Sequence, residues 1–245
     1  MTAQGQVAVI TGASAGIGRV TAIALSAHGW KLCLVARRHD ALVETAKLCS
    51  GPPPHLAVGD VTDERFVLRV FEETVNAFDR VDMVFNNAGI GAPQIPMEEL
   101  SLEAFQRVIN VNLVGPFLFT REAFKVFKKQ SPPGGRIINN GSVSAHTPRP
   151  NTSPYTSSKH ALMGLTKSTA LDGRAHNITW NAYTEMVKDS LAVGALQPNG
   201  SVVAEATFDP KHVADAIVHI ASLPNTVTVL EINIMATGMP FVGRG

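Results

Sequence analysis

Charge of one sign is lacking in this chain of 245 residues: 21 Lys and Arg stand against 20 Asp and Glu, with no basic block or tail. A nucleic-acid or anionic-membrane partner would need such a patch, and neither is expected. Cysteine is scarce too. Cys33 and Cys49 fall in a predicted strand and a predicted helix, with neither metal-ligand nor disulfide-framework spacing, so no metal site is expected. Long apolar runs are missing, since LCLVA and VNLVGPFLF fall well short of the roughly 20 residues of a membrane span. The opening MTAQGQVAVITGA lacks the basic and apolar regions of a signal peptide. Without one, the acceptor-like tripeptides NGS, NTS and NIT carry little meaning. These absences point to a soluble protein of a reducing compartment, expected to be cytoplasmic.

What is present is an alternation. Short apolar runs rich in β-branched residues occupy 6–11, 31–36, 55–60, 81–87, 135–141, 177–182 and 228–235, and helical patterns lie near 17–28, 40–49, 63–78, 101–128, 154–175 and 210–222. Strands apolar on both faces, alternating with helices, predict a parallel sheet covered on both sides. Right-handed crossovers make it a three-layer, doubly wound α/β fold of about seven strands. The stretches SGPPPH and SPPGG are short enough to be turns, so residues 1–245 are expected to form a single domain. Ligands of such sheets sit outside the carboxyl ends of the strands. That turns attention to Thr11–Gly18, Ala36–Arg38, Asp60, Asn86–Gly89, Ser142 and the segment after Trp180.

TGASAGIG follows the first strand and opens the first long helix. Gly12, Gly16 and Gly18 permit a tight turn with free backbone amides at a helix N-terminus, a site for a pyrophosphate. The plainer alternative is a glycine-rich turn without a ligand. At the end of the second strand, VARRHD offers Arg37 and Arg38 where a carboxylate would select the ribose hydroxyls of NAD. A guanidinium suits a 2′-phosphate, which favours NADP(H) over NAD(H) unless the two arginines are simply solvated. Asp60 can hold an adenine amino group or begin a turn. The amides of NNAG (86–89) can face a ligand or tie neighbouring strands together.

In NTSPYTSSKHALMGL (151–165), Thr152 or Ser153 can cap a helix and Pro154 suits its first position. Tyr155 and Lys159 then share one face. A free phenol has a pKa of about 10, too high for proton exchange near neutrality, and a neighbouring cation lowers it. Tyr155 could thus give a proton to a carbonyl oxygen while a hydride reaches the carbon. Taken alone, the pair fits an exposed helix face equally well. Ser142, at the end of the fifth strand, could hold the same oxygen. Asn112, polar within INVNLVGPF, could hold a water that relays protons through Lys159, or serve as a satisfied amide between helices.

Together TGASAGIG, NNAG, VNLVG, GSVSA and YTSSK resemble, in order and spacing over residues 6 to about 175, the short-chain dehydrogenase/reductase family in its compact Rossmann-fold form. The segment FDPKHVADAIVHIASLP and the last strand are also similar to that family. The resemblance implies a catalytic set of Ser142, Tyr155 and Lys159, with Asn112 as its fourth member. It also implies a dinucleotide lined by Gly12, Ser14, Gly16, Ile17, Gly18, Arg37, Arg38, Asp60, Val61, Asn87, Ala88 and Gly89, with Tyr155 and Lys159 at the nicotinamide ribose. The expected activity is NADP(H)-dependent hydride transfer between nicotinamide and a small carbonyl compound or secondary alcohol. Homodimers or homotetramers through helices 101–128 and 154–175 are implied as well.

One place departs from the family. NITWNAYTEMVKDSL lacks about half a dozen residues, including the Pro-Gly or equivalent turn that touches the carboxamide. A shortened sixth strand is therefore expected, with Thr184 as the displaced threonine of the cofactor site and Asn181 and Tyr183 as possible substitutes. The alternative function is a cofactor-binding but catalytically impaired member of the family. Segments 145–153 and 187–207 would shape the substrate pocket, with QPNGS as a turn. They indicate no strongly anionic substrate, and His146 is expected to be a loop histidine without a partner.

Overall fold

The computed structural model describes residues 5–91, 93–184, 195–196, 201–204 and 206–237, with the backbone alone for 182–184 and 195–196. Short runs with β-branched or other apolar residues at their centres form strands: β1 (Val7–Thr11), β2 (Lys31–Ala36), β3 (His55–Val58), β4 (Met83–Asn86), β5 (Gly135–Asn140) and β6 (Ile178–Thr184). A small antiparallel ribbon, β7 (Ala195–Leu196) with β8 (Val202–Val203), precedes the last strand, β9 (Glu231–Asn233). The sequence pattern does not show that ribbon. The residues of its expected QPNGS turn before Ser201 lie outside the described residues.

The main sheet has seven strands in the order β3-β2-β1-β4-β5-β6-β9, and every pairing is parallel. Strand period sorts the side chains into two cores. Ala8, Ile10, Leu32, Leu34 and Phe85 face one core with Leu25 and Ile217, whereas Val9, Cys33, Val35, Val84 and Ile137 face the other with Phe71, Phe119 and Trp180. The helices are α1 (Gly16–Ala27), α2 (His39–Lys47), α3 (Glu64–Phe78), α4 (Leu102–Ile109), α5 (Gly115–Lys129), α6 (Ser153–Gly173) and α7 (Lys211–Ser222). The first core packs under α1 and α7, and the second under α3 and α5. Cys49, expected in a helix, lies just past the end of α2.

The order in which strands are added reverses between β1 and β4, which puts a crevice at their carboxyl ends. Two further features set the site's geometry. The expected continuous helix 101–128 is broken by a π-helical turn over Asn110–Val114 between α4 and α5. And β6 is not shortened: its seven residues pair with β5 from Gly135↔Ile178 to Asn140↔Tyr183 and with β9 from Ala182↔Glu231 to Thr184↔Asn233. Among the described residues, no helix is long and apolar enough to cross a membrane, and no group of three His, Cys, Asp or Glu could hold a metal.

Candidate functional site

The crevice is a cleft of about 420 Å³ whose lining includes Gly12, Ser14, Gly16, Arg37, Arg38, Asp60, Val61, Asn87, Ala88 and Gly89. Two of its glycines are needed for their backbone. Gly12 (φ +67°) leaves no room for a Cβ, which would meet Asn87 Nδ2 at 2.8 Å; Gly16 (φ +51°) has nothing within 4 Å of that position. The first lets β4 approach the turn, and the second leaves open space at the start of α1. Ile17 packs on the core, and Gly18 lies against the Gly12 carbonyl. These two shape the turn from beneath.

The turn is bolted to β4. Thr11 Oγ1 accepts the amide protons of Asn87 (2.9 Å) and Ala88 (3.0 Å), and Asn87 Nδ2 donates to the Thr11 carbonyl at 3.0 Å. From there a chain of bonds runs along the strand ends. Asn140 Nδ2 donates to Asn87 Oδ1 at 3.0 Å, and Lys159 Nζ donates to the Asn140 carbonyl at 2.7 Å. Asn86 performs the tying role, donating to Asn139 Oδ1 at 2.8 Å.

At the end of β2, Arg38 Nη2 donates to Ser14 Oγ at 3.1 Å. Arg37 Nη1 lies 3.9 Å from Asp60 Oδ2, its side chain 70% exposed. Such an exposed pair is worth little, so Arg37 can leave Asp60 for a better anion. Asp60 also begins a turn: its Oδ1 accepts the Thr62 amide at 2.9 Å and the Thr62 hydroxyl at 2.8 Å.

Asn112 sits in the π-turn, buried, the kind of helix irregularity found at functional sites. Its Oδ1 accepts the Ile90 amide at 2.8 Å, while Nδ2 donates to the Ile90 carbonyl at 3.0 Å and to Ser158 Oγ at 3.1 Å. Both amide protons are therefore spent on protein, and the side chain bridges the π-turn, the segment after β4 and α6. Ser142 Oγ accepts the Ser144 amide at 3.1 Å, opening a 3₁₀ turn over Val143–Ala145. This bond orients the hydroxyl and does not use its proton. Tyr155 and Lys159 lie one turn apart on α6, with Nζ 5.6 Å from the ring centroid. Lys159 itself is buried. Thr152 occupies the N-cap position of α6 but does not cap with its side chain. Its hydroxyl instead donates to the Arg149 carbonyl at 2.7 Å.

Two expectations are corrected. His146 has a partner, for its Nε2 lies 2.6 Å from Glu231 Oε1; the pairing of β9 on β6 brings that carboxylate to the serine turn. The sixth strand extends through Thr184, because Tyr183 and Thr184 continue the ladder beside β9. The side chains of Tyr183 and Thr184 lie outside the described residues, as does most of the 187–207 segment. Sequence reasoning missed Ile90 and Val111, which also line the cleft. Their signals are adjacency to NNAG and to Asn112.

Comparisons with known proteins agree with this geometry. The family described as "short chain dehydrogenase" matches residues 6–191. A levodione reductase of Leifsonia aquatica is 35% identical over 196 residues, covering 76% of this chain and 73% of its own. A structure of 3-ketoacyl-(acyl-carrier-protein) reductase from Brucella melitensis complexed with NADH superimposes with a TM-score of 0.84 at 26% identity, covering 94% of this chain and 97% of that one. A metagenomic short-chain oxidoreductase in complex with NADP gives 0.82 at 25% identity, over 97% and 99% of the two chains. The chain belongs to the short chain dehydrogenase family, and so to the oxidoreductases.

Proposed function

We propose that this protein interconverts a small carbonyl compound and its alcohol, with NADP(H) favoured over NAD(H) as the hydride carrier. The observation that carries the reading is the unbroken chain of bonds from the glycine turn through Asn87 and Asn140 to Lys159. It ties a cleft suited to a dinucleotide to a lysine beside a phenol. The cleft fits such a cofactor: Gly16 leaves open space at a helix start, and two guanidinia border the end of β2. Gly12, Ser14 and Gly16 would hold its phosphates. Arg37 and Arg38 would hold a 2′-phosphate, Asp60 and Val61 the adenine end, and Asn87, Ala88 and Gly89 the middle.

When bound, the nicotinamide supplies or takes up the hydride. The chain's own residues manage the oxygen and its proton. Ser142 gives its free hydroxyl proton to the substrate oxygen as a hydrogen bond, and Tyr155 donates or removes the proton in full. Lys159 holds a positive charge against the ring and lowers the cost of a phenolate. Asn112 fixes the π-turn against α6 and the segment after β4. Helices α4–α5 and α6 leave Leu102, Phe117 and Leu171 exposed, which supports a homodimer or homotetramer; a monomer mass by light scattering would refute it.

Fluorescence titration with NADPH and NADH, followed by a screen of ketones and aldehydes, tests the reading. Tighter binding of NADPH and turnover of a carbonyl compound are expected. Binding without turnover would assign the impaired, cofactor-binding alternative, with the shortened link after β6 as its cause. No binding of either cofactor would overturn both.

A further inference from the structure

We propose that Arg19, which does not line the cleft, is a positioning residue for the cofactor's 2′-phosphate. The inference rests on the reading of Arg38 as a partner of that phosphate. The turn between β1 and α1 needs an anchor, because Gly12 and Gly16 both take the left-handed conformation and glycine backbone is soft. Residues of two helices supply the hold. Arg19, the fourth residue of α1, folds back on the turn: Nη2 donates to the Ser14 carbonyl at 2.8 Å, and Nε donates to Thr45 Oγ1 on α2 at 3.0 Å. Thr45 is fully buried, and its own hydroxyl lies 3.0 Å from the carbonyls of both Ala13 and Ala41. The Ala13 amide in turn donates to the Val35 carbonyl at 3.2 Å.

These bonds close a ring. Arg38 is the N-cap residue of α2, and its Nη2 donates to Ser14 Oγ at 3.1 Å. From the Ser14 carbonyl the ring runs through Arg19 to Thr45, along α2 to Arg38, and back to the Ser14 hydroxyl. Ser14 is thus held at two atoms by two guanidinia. The two arginines differ in what they can give. Arg38 is exposed and bonded there to a neutral hydroxyl, so it can turn to a phosphate, a stronger partner. Arg19 is half-buried, and its acceptors are a hydroxyl and two backbone carbonyls, the second being Ala41 at 3.4 Å. It stays with the protein and fixes where Ser14 stands relative to Arg38. That spacing is the width of the seat between them. A 2′-phosphate needs its donors at a set spacing, and holding them there before binding saves the cost of ordering them. A 2′-hydroxyl draws far less from the same geometry.

Fluorescence titration of the protein and its variants with NADPH and with NADH tests this without turnover. Arg19→Met keeps the apolar stem and removes the donors. NADPH affinity should fall by roughly fivefold to tenfold, and NADH affinity by no more than about twofold. Arg19→Lys keeps the charge but offers a single ammonium in place of the fork, and it should lose NADPH affinity to a similar degree. Thr45→Val removes one acceptor without changing any charge. It should cause a smaller loss, again confined to NADPH, and Thr45→Ser should restore it. Parental NADPH affinity in Arg19→Lys would overturn the proposal, since charge and not position would then be responsible. So would equal losses for the two cofactors, which would mean that the whole turn had slackened, or unchanged affinities in a folded Arg19→Met protein. If Arg19→Met does not fold, Thr45→Val decides: a loss confined to NADPH supports the proposal, and an equal or absent loss overturns it. A parent that binds both cofactors equally would refute the NADP(H) reading and this inference with it. A parent that favours NADPH, with variants that keep its preference, would refute the inference alone.

Discussion

At the scale of single residues, the candidate site separates into groups whose bonds are spent and groups with something left to give. Asn112 has committed both amide protons, whereas Ser142, among the described residues, accepts a bond and does not spend its own proton. In the proposed function, the phenol of Tyr155 is the group whose proton is transferred. Tyr155→Phe keeps the ring beneath Lys159 and removes the hydroxyl. Turnover should fall by roughly 100-fold or more, with cofactor affinity nearly unchanged; steady-state rates and a fluorescence titration check both parts. A variant that kept wild-type rates would show that the proton passes elsewhere. Arg37 is the matching residue at the other end of the cleft. Among the described residues its one ion pair is with Asp60 at 3.9 Å, so Arg37→Asp removes the proposed phosphate partner at little structural cost. NADPH affinity should drop by about tenfold, the worth of one charge-assisted bond, and NADH should gain in relative terms. Equal losses for both cofactors would mean that Arg37 does not read the 2′-phosphate.

At the scale of elements, the π-turn and the late strands decide how the site is assembled. The turn inserts Asn112 between Ile90 and Ser158, so Asn112→Ala should strand the part-buried amide and carbonyl of Ile90, while Ser158 Oγ keeps its bond to the Tyr155 carbonyl. A loss of about 1–3 kcal/mol is expected, read as a lower midpoint in urea. A variant as stable as the parent would show that water replaces the amide without penalty. This element was not visible in the sequence. INVNLVGPF keeps helical periodicity on both sides of the insertion, and a one-residue slip leaves no compositional mark. The sheet was legible for the opposite reason: β1 and β2 are apolar on both faces, the pattern of a parallel strand covered on both sides. Gly12, Arg37, Asp60 and Asn87 were legible because each stands at a strand end. His146–Glu231 was not, because two distant segments meet only once β9 pairs with β6. Nor was the length of β6, since NITWNA marked where the apolar run stops and not where the ladder does. Thr152 illustrates a local competition. Its hydroxyl can serve the helix start or the Arg149 carbonyl, and the turn takes it.

At the scale of the whole molecule, one sheet supplies both cores, and the two faces are expected to unfold together. Cys33 reports on this directly. It lies in β2, buried on the same face as Trp180, and burial pushes its thiol up to about 12. The thiolate is the reactive form, so the native thiol should resist alkylation near neutral pH until the sheet opens. Cys49 is only partly buried, its thiol raised more modestly by burial, and should label first. Trp30 lies in the opposite core, which allows the two faces to be followed separately. If residues 1–245 form a single cooperative domain, three transitions in denaturant should share one midpoint: Cys33 labelling, Trp30 fluorescence in Trp180→Phe, and Trp180 fluorescence in Trp30→Phe, each compared within its own variant. Loss of the Trp180 signal before Cys33 becomes reactive would place a boundary between β5–β6 and the β1–β2 half. The continuous ladder across β1, β4, β5 and β6 argues against such a boundary, because separating those strands would expose buried backbone groups along every paired edge.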